Sequence, residues 1–500
     1  MVYEGLHQFD VGIPPAIDTP AQCIAPLHPG HFLGKSPVHS ILSWEADEEL
    51  VLALTQQALT QDVMPTVDTV VNVCRGVAGN HSIIGAMIRE RILDQSFLCN
   101  LTVSDCVRLG KALGEMGGTA SESALVMLLR CAMRPDLQPR VKAPQARCLL
   151  LMLANLPEKY HDEPMKWCLS SLLLPHLPVD AGRMLDVMWA LGTLRMDSKE
   201  MTCPICDHLT AVLENQPTVT TAEWTCIAWT MARNRWFHLP LVSRLLKHAK
   251  EELHHSNVEV ITTMLWSLSR LGVQTQEILH QASLALLRHM NPQDSLSTMA
   301  CVLWLYAQHN HLKDEPVLLR HIADCIATSQ VWTMKVCVIF FSCHQGEATP
   351  TDVGVIAWSL FTLGFQHPCV RKRLAEWVGI LVLELDSITL CNIAGLYTTY
   401  KDDTSAMILD VLGLAIMKQG VLRSLPLKGL QMIEWAYTVI DVPISGAVLY
   451  WTSQAIEEQC VDLTESEPQA FHPSLKCQHT ALPCESPDVR KLGFWLCMTM

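Results

Sequence analysis

Cysteine and histidine supply the most suggestive chemistry in this chain. Cys203-Pro-Ile-Cys206, followed by His208, has the spacing of half a zinc site. Tetrahedral zinc takes four ligands, and the other half is usually a second Cys-x-x-Cys or a His-x₃₋₅-His. No such element follows at a matching distance, so the motif reads as structural and no metal is expected. Cys477, His479 and Cys484, with Cys460 upstream, form a looser group whose spacing fits no established ligand pattern. Gly30-His-Phe-Leu-Gly34-Lys35-Ser36 approaches a phosphate-binding loop but is one residue short between its glycines. Pro37 also stands where a helix would have to begin. Gly-x-Ser-x-Gly, His-Glu-x-x-His and paired-carboxylate motifs are missing. The sequence therefore predicts no catalytic residues, no cofactor and no enzyme.

What does recur is an aromatic position. Leu265-Trp-Ser-Leu-Ser-Arg-Leu-Gly272 and Ala357-Trp-Ser-Leu-Phe-Thr-Leu-Gly364 match almost residue for residue. Met188-Trp-Ala-Leu191 and Glu434-Trp-Ala-Tyr437 are close relatives, with Ala228-Trp-Thr-Met231 and Leu303-Trp-Leu-Tyr306 weaker ones. The anchors stand at Trp189, Trp229, Trp266, Trp304, Trp358, Tyr397 and Trp435, and the register extends back to Leu151, Lys111 and Val73. Successive spacings are 38, 40, 38, 40, 37, 38, 54, 39 and 38 residues. Self-similarity at this period is the mark of stacked supersecondary units. The expected fold is all-α, an α-solenoid of about ten helix–turn–helix repeats.

In the clearest unit, Val258 to Leu271 reads as one helix, ended by Gly272 acting as a left-handed cap. Gln274 to Met290 reads as the second, ended by Asn291-Pro292, with Asp294 or Ser295 free to cap the helix that follows. The anchors lie in apolar runs and are expected to be core. The long spacing of 54 places a surplus at 331–350, for which a functional insertion and an error in gene prediction account equally well. Residues 1–60 read as an irregular acidic lead-in, 61–455 as the solenoid and 456–500 as a short, poorly ordered tail.

The anchor serves as a ruler for a candidate binding column. Positions three before, one after and four after it share a helical face. One after is mostly small: Ala112, Ala190, Thr230, Ser267, Ser359, Thr398 and Ala436. Four after is polar and differs from unit to unit: Glu115, then Asn155, Thr193, Arg233, Arg270, Gln308, Thr362 and Lys401. Modular RNA readers use one or two side chains per repeat on successive bases, and a variable hydrogen-bonding column suits that task. An ordinary solvated face would vary in the same way.

Composition sets the remaining bounds. Net charge is −14, which speaks against nucleic acid. Residues 1–70 carry −8 and 401–500 carry −5, however, so the middle is close to neutral. The 20 cysteines are scattered through apolar stretches and are expected to be buried free thiols rather than a disulfide framework. No apolar run reaches the ~18 residues of a membrane span. The N-terminal residues show neither a signal nor a transit peptide.

A hairpin of this length carrying x-x-Trp-(Ala/Ser)-Leu-x-x-Leu-Gly resembles octotricopeptide and heptatricopeptide repeats and the Leu-rich region of FAST-kinase-like proteins. The residues that carry it are Trp189-Ala190, Trp266-Ser267-Leu268 with Leu271-Gly272, Trp358-Ser359-Leu360 with Leu363-Gly364, and Trp435-Ala436. It covers roughly residues 60–455. The resemblance implies RNA binding in a mitochondrion, or alternatively a plastid. The work implied is transcript stability, processing, translation or rRNA assembly, on single-stranded or structured RNA, beside ribonucleoprotein or ribosomal proteins. Relatives often end in a RAP domain, and 456–500 shows none, so no nuclease-like activity is implied. The alternative reading, independent of the resemblance, is a protein–protein interaction scaffold.

Overall fold

Runs of Leu, Met and Ala at helical spacing, closed by Gly, Asn or Pro, leave the chain few options besides short helices. The computed structural model describes residues 67–76, 95–116, 119–177, 181–196, 199–214, 219–273, 276–309, 316–329, 348–419 and 421–466, and its regular elements there are helices. The lead-in, the 331–347 part of the surplus segment, and the chain after Ser466 lie outside the described residues. The chain is an all-α helical-repeat solenoid.

It divides into two compact units. One comprises Pro26–Ala249 with Arg270–Val273; the other includes Lys250–Ser269 and everything from Gln274. In the first unit, α1 (Val67–Gly76) and the short α2 (Gln95–Cys99) precede three hairpins. These are α3 (Val103–Met116) with α4 (Thr119–Ala132), α5 (Ala143–Ala154) with α6 (Glu163–Leu173), and α7 (Ala181–Leu194) with α8 (Lys199–Glu214). α9 (Thr221–Arg233) and α10 (Leu239–Glu252) follow. The leading helices α3, α5, α7 and α9 stack in order.

The second unit repeats the arrangement. α11 (Val258–Arg270, whose last residue belongs to the first unit) and α12 (Gln276–His289) open it, then α13 (Leu296–Gln308) and α14 (Pro316–Thr328). Next come α15 (Pro350–Leu363) with α16 (Pro368–Leu381), α17 (Ser387–Tyr400) with α18 (Asp403–Gln419), and α19 (Leu427–Val439) with α20 (Ser445–Ser466). Leading helices α13, α15, α17 and α19 stack on one another, and trailing helices α12, α14, α16, α18 and α20 do the same. α13 packs directly on α15, so stacking continues across the surplus between α14 and α15. Helix α20 continues to Ser466, beyond the expected end of the solenoid at 455.

Capping follows the sequence closely. Gly272 takes φ 70° and Gly364 φ 62°, the left-handed region in which a side chain is strained. Ser295 caps α13, its hydroxyl accepting from the Thr298 amide at 3.1 Å. Thr220 and Thr349 form capping boxes with Glu223 and Asp352.

The core is built on the anchors. Trp189, Trp229, Trp266, Trp304, Trp358 and Tyr397 are each no more than 4% exposed. Trp435 is half-buried. Backward extension of the register is looser: Leu151 is half-buried and Lys111 is exposed. The small position after the anchor is where leading helices touch. Ala112, Ala190, Thr230, Ser267, Ser359, Thr398 and Ala436 are all fully buried. Glycines bring the helices closer still. A Cβ on Gly192 would lie 2.6 Å from the Trp229 ring, and one on Gly354 would lie 2.5 Å from the Thr389 hydroxyl.

Polar ties cross between repeats inside this core. In the first unit, the Thr230 hydroxyl donates to the Met188 carbonyl at 2.8 Å and the Trp236 indole to the Met196 carbonyl at 3.2 Å. In the second, three tyrosine hydroxyls donate to carbonyls of the preceding trailing helix. These are Tyr306 to Leu279 at 2.9 Å, Tyr397 to Arg371 at 2.7 Å and Tyr437 to Leu409 at 2.6 Å.

Candidate nucleic-acid interface

Because a leading helix is packed by its neighbours and by its own trailing helix, little of its length reaches solvent. The column read from the sequence is therefore not an open helical face. Its position three before the anchor is mostly buried, as at Cys226, Thr263, Cys301, Ala394 and Met432, and its small position is buried throughout. The position four after the anchor lies at the C-terminal end of each leading helix, exposed at Asn155 and Lys401 and half-buried from Thr193 to Thr362. The column is a row of helix ends, one row in each unit.

In the first unit, Asn155 is the exposed C-cap of α5, and its amide turns back to the Leu151 carbonyl at 2.8 Å. Thr193 is half-buried, with its hydroxyl on the Trp189 carbonyl at 3.0 Å. Arg233 ends α9, half-buried, its guanidinium 6.0 Å from the centre of the Trp229 ring. Arg270, last in α11 and half-buried, belongs to the same unit. In the second unit, Gln308 ends α13 and Thr362 is next to last in α15. The Gln308 Oε1 and the Thr362 hydroxyl are buried atoms without a hydrogen-bond partner. Lys401 caps α17, exposed, at φ 54°.

The turns after α7, α9 and α15 share a form. A residue two or three past the end bonds back five positions: Met196 amide to Leu191 carbonyl, Trp236 to Met231, Phe365 to Leu360. This Schellman closure needs a left-handed residue just before it, usually glycine. Gly364 fills that place after α15, but Arg195 (φ 52°) and Arg235 (φ 54°) fill it after α7 and α9. A left-handed side chain costs about 1–2 kcal/mol, and sequence reasoning missed both because no glycine marks the site. Cations here also meet the partial negative charge of the preceding helix's carbonyls, which offsets part of that cost.

Several basic side chains in the middle of the chain pair with acids of a neighbouring repeat. Arg147 meets Asp186 at 2.8 Å, Arg195 meets Glu158 at 3.8 Å and Arg244 meets Glu214 at 2.6 Å. Arg371 pairs with Asp402.

Cys203 and Cys206 lie on α8, the first exposed and the second buried with its thiol pushed up to about 12 by burial. No group of three or more His, Cys, Asp or Glu suited to a metal occurs among the described residues. Cys74, Cys106, Cys131, Cys226, Cys301, Cys325 and Cys391 are buried free thiols; Cys99 and Cys369 are exposed. No helix of the described residues is long and apolar enough to cross a membrane. The phosphate-loop-like stretch and the Cys477, His479, Cys484 group lie outside the described residues. No protein-family model and no curated protein matches the chain.

Proposed function

We propose that this chain is an RNA-binding helical-repeat protein without catalysis of its own. It acts on mitochondrial or plastid transcripts, in their stability, processing, translation or rRNA assembly. The observation that carries this reading is a contrast at fixed positions. The anchor from Trp189 to Tyr397, and the small residue beside it, are uniformly buried, while the residue at the helix end is polar and changes from repeat to repeat. Constancy inside and variation at one emergent edge suit a modular reader of bases. Net charge is no obstacle where cations stand at that edge, as Arg233 and Arg270 do in one unit.

Crosslinking followed by sequencing of bound RNA tests the reading. RNA enriched above background is expected; none recovered at low salt overturns it. Arg233→Ala with Arg270→Ala is expected to weaken binding and flatten its salt dependence.

A specific feature favours a second reading, a protein scaffold. On the last trailing helices, Met407, Leu414, Tyr450 and Trp451 are 46–58% exposed. Nearby, Ile416, Met417, Leu422, Trp451 and Ala455 line a groove of about 420 Å³. Apolar exposure of this kind suits a protein partner, and it is the surface to probe if no RNA is recovered.

A further inference from the structure

The turn between α9 and α10 differs from its counterparts. Its sequence is Arg233-Asn-Arg-Trp-Phe-His-Leu239. Trp236 closes the Schellman turn and is buried. Phe237 beside it is 52% exposed and Leu239 is 56% exposed, with no ring partner for Phe237 among the described residues. Arg235 is exposed in the left-handed conformation, where the counterpart after α15 is Gly364. Its side chain makes no ion pair or hydrogen bond among the described residues, whereas Arg195 at the same place reaches Glu158. Asn234, 1% exposed, has neither its amide nitrogen nor its amide oxygen paired.

Backbone strain on an exposed cation with no side-chain partner among the described residues is the kind of outlier that points to function. An exposed aromatic face two residues away supplies the other half of a nucleotide site. Bases stack on such faces without sequence preference, and a cation nearby neutralises the phosphate. The first turn of α10, which starts at Leu239, carries no acidic residue to oppose that phosphate. His238 is held aside by Asp207 on α8, its Nε2 3.0 Å from the carboxylate.

We propose that this turn holds one nucleotide of single-stranded RNA, its base stacked on Phe237 and its phosphate against Arg235. The proposal rests on the RNA reading above and assigns to it a contact outside the helix-end row. Arg233, the row's own residue, is two positions away, so the turn extends the row's contact within this unit.

The test uses the full chain and a fluorescent, mixed-sequence single-stranded RNA of about 20 nucleotides, with anisotropy read at several salt concentrations. Phe237→Ala is expected to weaken binding about tenfold with an unchanged salt slope. Arg235→Gly relieves the left-handed strain, so it should fold as well as the parent or better. Its salt slope should be shallower by about 0.7, one phosphate contact on a single strand. Ultraviolet crosslinking of the parent to the same RNA should mark the tryptic peptide Trp236–Arg244. Parent binding that both substitutions leave unchanged, with no crosslink on that peptide, overturns this site and leaves the wider reading standing. A parent that binds no RNA overturns the wider reading, and the site falls with it. Binding of a protein instead, lost in Phe237→Ala, also overturns it.

Discussion

The two units solve one packing problem with different bonds. In the first, Thr230 of one leading helix donates to Met188 of the preceding one, and Trp236 in the turn after α9 donates to Met196 in the turn after α7. In the second, Tyr306, Tyr397 and Tyr437 add ties from leading helix to the preceding trailing helix, beside a leading-to-leading bond from the Cys391 thiol to the Gly429 carbonyl. The first arrangement joins leading helices and the turns after them; the tyrosine bonds of the second close each hairpin onto the one before it. The same repeat therefore carries tyrosine bonds between hairpins in one unit and, among the described residues, not in the other.

That contrast is open to attack at several points. The largest effect is expected from Trp304→Ala, which empties a buried anchor of the second unit and should cost about 3–5 kcal/mol. Thermal and denaturant melts followed by circular dichroism measure it, and a loss confined to a fraction of the signal would show the units melting separately. Gly192→Ala strikes the leading helices of the first unit, because its Cβ meets the Trp229 ring. Overpacking of that kind costs about 1–3 kcal/mol. An unchanged melting temperature would show that the leading helices there can part freely.

Tyr437→Phe removes one hairpin tie and should cost about 1 kcal/mol. Alkali probes the same bonds. Burial raises the Tyr397 and Tyr437 hydroxyls above their ordinary range, so the unfolded chain ionises first. Their contribution is complete below about pH 10 and declines as pH rises beyond it. The double Tyr→Phe variant should lose less stability between pH 9 and 11, roughly the range in which a free tyrosine ionises, than the parent does. Arg195→Gly should be neutral or stabilising by up to about 1 kcal/mol, relief of the left-handed conformation outweighing one surface ion pair.

The smallest effect lies at acid pH. Burial tends to raise the Asp402 carboxyl, but the Ser405 amide and hydroxyl and the Arg371 guanidinium outweigh it and hold it below its usual range. The stability it confers is present above about pH 4 and is lost as pH falls further. Asp402→Asn should flatten that acid limb slightly in a pH series of melts.

How much of this was written in the residues depends on what each residue had to satisfy. Gly272 and Ser295 were legible because a left-handed cap and an N-cap admit few residue types. The helices Val258–Arg270 and Gln276–His289 fall within two residues of the expected limits for the same reason. The anchors were legible from Trp189 onward, where aromatic volume is needed, and less so before it, where exposed Lys111 shows that the pattern drifts. The column was legible as a set of positions but not as a surface. Helical periodicity reports which residues share a face, not how many neighbours cover it, and Thr230, Ser267 and Ser359 look as solvent-ready in sequence as Thr193. Arg195 and Arg235 were invisible as strained residues, since nothing but the folded turn demands a positive φ of them.

Nearly all of these ties share a polarity. Thr230, Trp236, Tyr306, Tyr397 and Tyr437 each donate to a carbonyl earlier in the chain. During synthesis the acceptor has therefore always been made before its donor leaves the ribosome. Each hairpin can lock onto a finished surface as soon as it emerges, without waiting for sequence still to come. For these five bonds, the order of assembly can follow the order of translation.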